Sequence, residues 1–381
     1  MTPVVQTIIG ILAMLLLAMA GIGALFNLVA AVLARPAAAR APRAAWPSVT
    51  VLKPLHGLEP GLEAKLESLF AHGYAGPVQI VFGTGSADDP ALALARAIAA
   101  RHPQAMVAFA SDAARIGPNA KLCNLANMAP AIAHDIVVIA DSDVAWAPDT
   151  LARVVDALEE PGVGLVSCLH IGRGDAGFWS RVAAMDISYR YMPAVLLGQA
   201  LRLATPVLGP TMALRAQTLE QIGGFAAFTP VLADDYEIGR AVRALGLATR
   251  VPDFFIIHGC TEPSLRALIR HELRWSVTIF RIDPVGFAGS VVTHAALLSL
   301  AALALGGPGP VAFAVLAAAL AAQLAIKLRI DRAAGRSSGP FWLMPLRLVL
   351  TGVVFAATFF VNKVDWRGAQ FRVTRDGRLQ F

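Results

Sequence analysis

Three pairs of acids sit at places where catalysis could use them. The stretch IVVIADSDVAWAPD (136–149) runs five apolar residues into Asp141 and Asp143. GTGSADDPA (83–91) places Asp88 and Asp89 directly after VQIVF, and VLADDYEIGRAVRALG (231–246) sets Asp234 and Asp235 ahead of a helical pattern. Two carboxylates at one strand end can share Mg²⁺ or Mn²⁺, which take oxygen ligands together with substrate phosphates. Alternation along the strand predicts that Asp141 and Asp143 point the same way, with Ser142 opposed. Each pair also has a plain structural reading. Asp-x-Asp can be a strand-ending turn, and Asp89 before Pro90 is a good N-cap with Pro at the first helical position. Capping also accounts for one of Asp234 and Asp235, leaving the other and Tyr236 over.

Basic and aromatic groups complete the set. In RHELRW (270–275), His271, Arg274 and Trp275 share one helix face by i, i+3, i+4 spacing. That face could hold a diphosphate under a stacked indole, or it could lie as an amphipathic helix at a membrane surface. GPNAKLCNLANM (117–128) offers Lys121 and Asn124 at a helix start, suited to a phosphate or to a solvated first turn. VLKPLHGLEPG (51–61) carries Lys53 to a loop that could hold a base.

The elements that must position these groups follow from periodicity. Between residues 46 and 282, short apolar runs (VTVL, VQIVF, VAFA, IVVIA, VGLVSCL, RVPDFFII) alternate with helical patterns such as LEAKLESLF and TLARVVDALEE. Such alternation predicts an α/β fold with a mostly parallel, doubly wound sheet, which binds ligands beyond its strands' C-terminal ends.

Composition adds a membrane. The 381 residues are 56% hydrophobic and 15% charged. Residues 4–34 and 285–326 carry no charge, and each exceeds the ~20 apolar residues that cross a bilayer. The first reads as an uncleaved anchor, lacking the basic start and cleavage site of a signal peptide. Arg35, Arg40 and Arg43 follow it, and Lys327, Arg329, Arg332 and Arg336 follow the later apolar stretch, so both flanks are expected on the cytoplasmic side. GGPGP (306–310) is expected to split 285–326 into two spans. Segment 339–362, with Pro345 and Arg347, is expected to form a re-entrant or surface-lying hairpin before a basic cytoplasmic tail, 363–381. The predicted division is thus an anchor and linker (1–45), a globular catalytic domain (46–282), membrane helices (283–362) and the tail.

The net charge of +6 lies mostly beside the apolar segments, favouring anionic lipid over nucleic acid as a partner. Cys123, Cys168 and Cys260 are odd in number and form no CxxC, as core thiols in a reducing compartment would. The apolar stretch 175–201, with Trp179, Tyr189 and Tyr191, is either a buried helix or a membrane-lying guide for a lipid.

The ordered set LKPLHG, SADDPA, IADSD, GPTMAL, LADDY and HELRW, with GFAGSVVTH (286–294) and VDWRGAQFRV near the C-terminus, closely resembles glycosyltransferase family 21, the ceramide glucosyltransferase group. Within that group it is most similar to the hopanoid-biosynthesis enzymes that place N-acetylglucosamine on bacteriohopanetetrol. The resemblance runs from about residue 48 to the end. It implies a GT-A fold and an inverting transfer from a UDP-sugar to a lipid hydroxyl, with Mg²⁺ or Mn²⁺ as cofactor, at the cytoplasmic face of a bacterial inner membrane. On this resemblance Asp89 lies near the nucleotide, and Asp141 and Asp143 bind metal and diphosphate. Asp235 is the general base beside Asp234, and Arg274 and Trp275 match the Q/R-x-x-R-W motif. His271 stands where the family has Gln or Arg. Lys53 and Lys121 are expected at the substrate. The acceptor is a hopanoid polyol or ceramide. Other readings are a processive polysaccharide synthase, disfavoured by His271 and too few spans, and a non-catalytic membrane scaffold, disfavoured by the intact acids.

Overall fold

Ten short strands account for the predicted globular part: β1 (Val49–Pro54), β2 (Val78–Thr84), β3 (Met106–Ser111), β4 (Ile136–Ala140), β5 (Val144–Ala145), β6 (Val163–Ser167), β7 (Leu169–Gly174), β8 (Thr211–Arg215), β9 (Ala248–Arg250) and β10 (Phe255–Cys260). The structure is a computed structural model. It describes residues 2–361 except 42 and 44, and the backbone alone of 363–366, 369–373 and 379–380.

Seven strands form the main sheet in the order β3-β2-β1-β4-β8-β6-β9. The pairs β2–β3, β1–β2, β1–β4 and β6–β9 are parallel. β8 runs antiparallel to both of its neighbours, β4 and β6. The fold is therefore mixed α/β with a mostly parallel central sheet, as expected. β1 and β4 are buried along their whole length, which is why β4 reads as an unbroken apolar run and β1 as a mostly apolar one. Ile136 and Val138 join the core on one side with Leu66 and Leu151. Val137 and Ile139 join the other with Leu122, Leu125 and Val242.

Two sequence expectations break in this region. VGLVSCL is not one strand: it divides at buried Cys168 into β6 and β7, which belong to different sheets. RVPDFFII likewise splits, and β10 pairs with β5 and β7 in a second, three-stranded sheet. β8, from GPTMAL, carried no strand expectation although it lies at the sheet's centre.

The apolar segments are helical. Pro3–Leu33, Pro310–Ala334 and Phe341–Thr358 are each long and apolar enough to cross a membrane. The stretch 284–306 departs from expectation. It bends by 70° between Pro284–Thr293 and Ala295–Gly306, so it is a broken element rather than a straight span. Pro310–Ala334 also runs further than expected and carries Lys327, Arg329 and Arg332 in its own last turns. Arg329 Nε donates to the carbonyl of Ala31 at 3.1 Å, so the ends of the first and third apolar stretches lie side by side. Arg40 and Arg43 reach Asp156 and Glu159 at 2.8 and 2.9 Å, tying the linker to the α/β domain.

Segment 339–362 is not a hairpin. A 3₁₀ turn leads straight into the helix Met344–Thr358. Arg347, an awkward charge when only the sequence is seen, forks onto Glu272 at 2.6 and 2.7 Å. The tail backbone forms a small antiparallel sheet of β11 (Lys363–Trp366), β12 (Ala369–Val373) and β13 (Leu379–Gln380), while its basic side chains lie outside the described residues.

Candidate active site

The site lies beyond the C-terminal end of β4. Pleating stops at Ala140, and Asp141 to Val144 form a turn closed by the Val144 amide donating to the Asp141 carbonyl at 3.1 Å. That turn, and not strand alternation, sets where the two aspartates point. Ser142 turns away to donate to Glu59. Lys53 corrects an expectation. It is fully buried under the turn, where its ammonium donates to the carbonyls of Asp141 and Val144. With no exposed surface it supports the turn rather than touching substrate.

Lys121, in the helix Ala120–Met128, joins two of the predicted acidic sites. Its ammonium lies 2.8 Å from Asp141 Oδ1 and 3.2 Å from Asp234 Oδ2. Burial works against that charge, yet Asp141 and Asp234 hold its pKa above the ordinary lysine range. Burial also raises the Asp141 carboxyl to about 6, with Lys121 opposing. Asn124, on the same helix, donates to the Gly83 carbonyl and so is structural.

Neither Asp234 nor Asp235 caps its helix. The N-cap position is Ala233, and both acids are the helix's first residues. Asp235 Oδ2 accepts from the Gly209 amide at 3.0 Å and Oδ1 from its own neighbour Tyr236 at 2.8 Å. Only glycine fits easily at 209, since a Cβ there would lie 3.2 Å from Asp235 Oδ2. Burial, then the charge of Asp234, raises the Asp235 carboxyl to about 6. A carboxylate so tuned can accept a proton near neutral pH.

Asp89 does cap its helix, accepting from Ala91 at 2.9 Å, and it also accepts from the Gly57 amide. It thereby closes the LHG loop after β1. The structure does not bring Asp89 into the Lys121 cluster through any hydrogen bond or ion pair among the described residues.

Sequence reading missed His258 on β10. Its Nδ1 lies 3.5 Å from Asp143 Oδ1; His258 is buried and Asp143 half-buried, and neither of these two atoms has a hydrogen-bond partner among the described residues. The Asp143 carboxyl is raised by burial, but His258, Lys53, Lys65 and Lys121 outweigh this and hold it below the usual range. A lone histidine in an apolar strand gives no signal by itself. What brings it to the site is a pairing that only the structure shows: His258 lies opposite Val144, the residue directly after Asp143.

A divalent cation fits between two such orphaned donors, a carboxylate oxygen and an imidazole nitrogen. No group of three metal-ligating side chains converges among the described residues. The remaining ligands would then come from diphosphate and water, as Mg²⁺ and Mn²⁺ accept.

Aromatic rings wall the other side. The helix Leu265–Ile282 carries His271 and Trp275, edge to face at 5.0 Å. Trp275 also meets Tyr191 at 5.9 Å and His258 at 6.1 Å. His271 Nδ1 bonds Glu262, which orients the ring. Of the RHELRW motif, His271 and Trp275 meet on one helix face, and the indole reaches His258 beside Asp143. Tyr191 belongs to a π-helical turn, Ile187–Tyr191, a form frequent at functional sites.

The sequence pattern of Glyco_transf_21, glycosyl transferase family 21, matches residues 12–379. Ceramide glucosyltransferase 1 of Caenorhabditis elegans is 22% identical over 230 residues, 60% of this chain and 49% of that protein. Ceramide glucosyltransferase of Komagataella phaffii is 33% identical over 114 residues, 29% of this chain and 22% of that protein. The chain therefore spans about half the length or less of these relatives. Among solved structures, the mannosyltransferase PcManGT of Pyrobaculum calidifontis, bound to GDP-Man and Mn²⁺, aligns at a TM-score of 0.53 with 23% identity, covering 92% of this chain and 99% of that one. The shared fold is of the GT-A type.

Proposed function

The chain belongs to glycosyl transferase family 21, and we propose that it moves a sugar from a UDP-sugar to a hydroxyl of a membrane lipid, inverting the anomeric centre. One observation carries this reading: Lys121 ties Asp141, at the strand end, to Asp234, the neighbour of the buried carboxylate Asp235. On this reading acids of the donor side and the acceptor side are held together by one ammonium.

In this mechanism the acceptor oxygen attacks the anomeric carbon from the side opposite the diphosphate. The carbon–oxygen bond to the diphosphate breaks and its electron pair leaves with UDP. The acceptor proton passes to Asp235, whose raised pKa suits a general base. Arg274 would face the diphosphate and Trp275 would stack over an acceptor group, with His271 holding the indole edge. Lys121 would meet the diphosphate, and Asp89 would hold the loop over the nucleotide. A divalent cation, when bound at Asp141 and Asp143 with His258 beside them, supplies neutralisation of the leaving group's charge.

The sugar is N-acetylglucosamine and the acceptor bacteriohopanetetrol on this reading. The relatives named ceramide glucosyltransferase favour a second one, glucose onto ceramide. Residues 1–45 would anchor and link, 46–282 catalyse, and 283–362 lie in the membrane, with the tail 363–381 and the catalytic domain on the cytoplasmic face of a bacterial inner membrane. The basic residues at the ends of the first and third apolar stretches support that orientation.

The test is a transfer assay on the full chain in detergent with Mn²⁺ or Mg²⁺. It crosses UDP-glucose and UDP-N-acetylglucosamine with bacteriohopanetetrol and ceramide, alongside Asp235→Asn. Product with N-acetylglucosamine and the hopanoid alone, lost in the variant, supports the first reading. Product with ceramide supports the second. No product in any arm, with UDP still bound, would sink both.

A further inference from the structure

Lys65, Arg173 and Arg336 gather about one carboxylate, Asp175. Lys65 is fully buried, lies 2.9 Å from Asp175 Oδ2 and also donates to the Pro60 carbonyl. Arg173 Nε donates to Asp175 Oδ1 at 2.6 Å, and its fork reaches Oδ2 at 3.2 Å. Two cations already hold the single anion, and Arg336 is left over. It lies in the turn between the apolar helices Pro310–Ala334 and Phe341–Thr358. Its Nε is buried without a hydrogen-bond partner, and the side chain makes no ion pair among the described residues. Burial, then the charge of Arg173, lowers its pKa from the ordinary arginine range, with Asp175 opposing. Asp331, on the preceding helix, is matched by Lys327 at 2.6 Å. Arg181 stands beside the same turn, exposed and likewise unpartnered among the described residues; a Cβ at Gly339 would lie 3.5 Å from its Cγ. A half-buried guanidinium pressed against a second one calls for an anion, and a phosphate suits its fork.

The backbone adds to that field. The helices Phe178–Asp186 and Met192–Ala200 join through the π-helical turn Ile187–Tyr191 into one continuous run. Its N-terminus opens just past Asp175, and its N-cap, Gly177 at φ +95°, has no side chain to satisfy the first amides. The positive end of the helix dipole therefore lies beside the arginines.

The surroundings favour a lipid as the source of the phosphate. Phe341 and Trp342, in the turn that carries Arg336, are 57% and 67% exposed, and Phe178 at the helix start is 46% exposed against Trp179. Exposed aromatics beside basic residues at the ends of apolar helices are the pattern of a membrane–water interface, where basic pockets take lipid head groups. We propose that Arg173, Arg181 and Arg336 form a binding site for the phosphodiester of an anionic membrane lipid, separate from the donor and acceptor sites. The inference goes beyond the transfer reaction and rests only on the membrane placement of the apolar helices.

The experiment titrates the full chain in a neutral detergent with phosphatidylglycerol, with phosphatidylcholine of the same chains and with glycerol 1-phosphate, counting bound molecules by native mass spectrometry. Phosphatidylglycerol should bind most tightly. Arg181→Gln/Arg336→Gln, which removes two unpartnered side chains, should weaken it ~30-fold, about fivefold for each guanidinium lost. Arg35→Gln/Arg332→Gln, the same change of charge at two helix ends, should leave it unchanged. UDP binding checks that the variants fold. Phosphatidylglycerol held no tighter than phosphatidylcholine, or an equal loss in both double variants, would reduce the effect to general surface charge and overturn the proposal. Glycerol 1-phosphate binding as tightly as the lipid would assign a soluble phosphate instead, and displacement of the lipid by UDP would place the anion in the donor pocket; either outcome also overturns it. Because the readout needs no turnover, a chain that binds the lipid as expected but transfers no sugar would sink the functional reading and leave this site standing.

Discussion

Arg347, inside the last apolar helix, and Glu272, three residues before Trp275, form a bidentate ion pair at 2.6 and 2.7 Å, with side chains only 4% and 12% exposed. A helix long and apolar enough to cross a membrane is thereby fastened to the helix that carries Arg274 and Trp275. Removing one partner leaves the other charge buried, which typically costs about 3–5 kcal/mol. Arg347→Leu should therefore lower the thermal midpoint strongly. The double variant Arg347→Leu/Glu272→Leu should recover part of the loss, because no orphaned carboxylate remains at 272. Thermal unfolding in one detergent compares them, and a double variant less stable than both singles would contradict the pairing.

Asp235→Asn should keep UDP binding and lose transfer by ~10²–10⁴-fold, the usual reach of a positioned base. The pH dependence has a fixed sign. Asp235 is raised to about 6 and accepts a proton only when ionised, so kcat should fall as pH drops through about 6 and level off above it. The profile is taken at saturating metal. A rate that stays flat from pH 5 to 8 would remove Asp235 from this role.

Chelation with EDTA should abolish transfer, and Mn²⁺ or Mg²⁺ should restore it. His258→Ala should raise the metal concentration for half-restoration by ~10-fold or more, a change typical of a residue at or beside the metal. An unchanged metal requirement would return His258 to an ordinary buried histidine.

Lys121→Met leaves Asp141 and Asp234 without their shared cation. The variant should be less stable than the parent without metal and should gain more from Mn²⁺, since a ligand that binds only the folded state stabilises it by mass action. Thermal shifts with and without Mn²⁺ measure this. Equal shifts would mean that the metal does not share the Lys121 carboxylates.

Much of this was legible in the chain itself, and where it was not the reason is physical. β1, β2 and β4 announce themselves through the runs VTVL, VQIVF and IVVIA, because strands buried on both faces are mostly apolar. β8 is as short as β4 and nearly as buried, but TMALR holds a single β-branched residue where IVVIA holds four, so its run does not read as a strand. The carboxylates stood out through their types and their place after apolar runs. Lys53 misled because sequence carries no depth: a lysine at a strand end reads as exposed, yet here two backbone carbonyls satisfy it in the interior. His258 and the Arg347–Glu272 pair depend on contacts between segments over seventy residues apart, which no local spacing encodes.

The buried Lys53 has a kinetic and calorimetric corollary. Since its ammonium already fastens both ends of the Asp141–Val144 turn from below, the loop need not be organised by an arriving ion. Association should then proceed at the pace of water exchange on the cation, with almost no heat-capacity change. Trading Lys53 for methionine should turn a rigid receptor into one that must order itself around its guest.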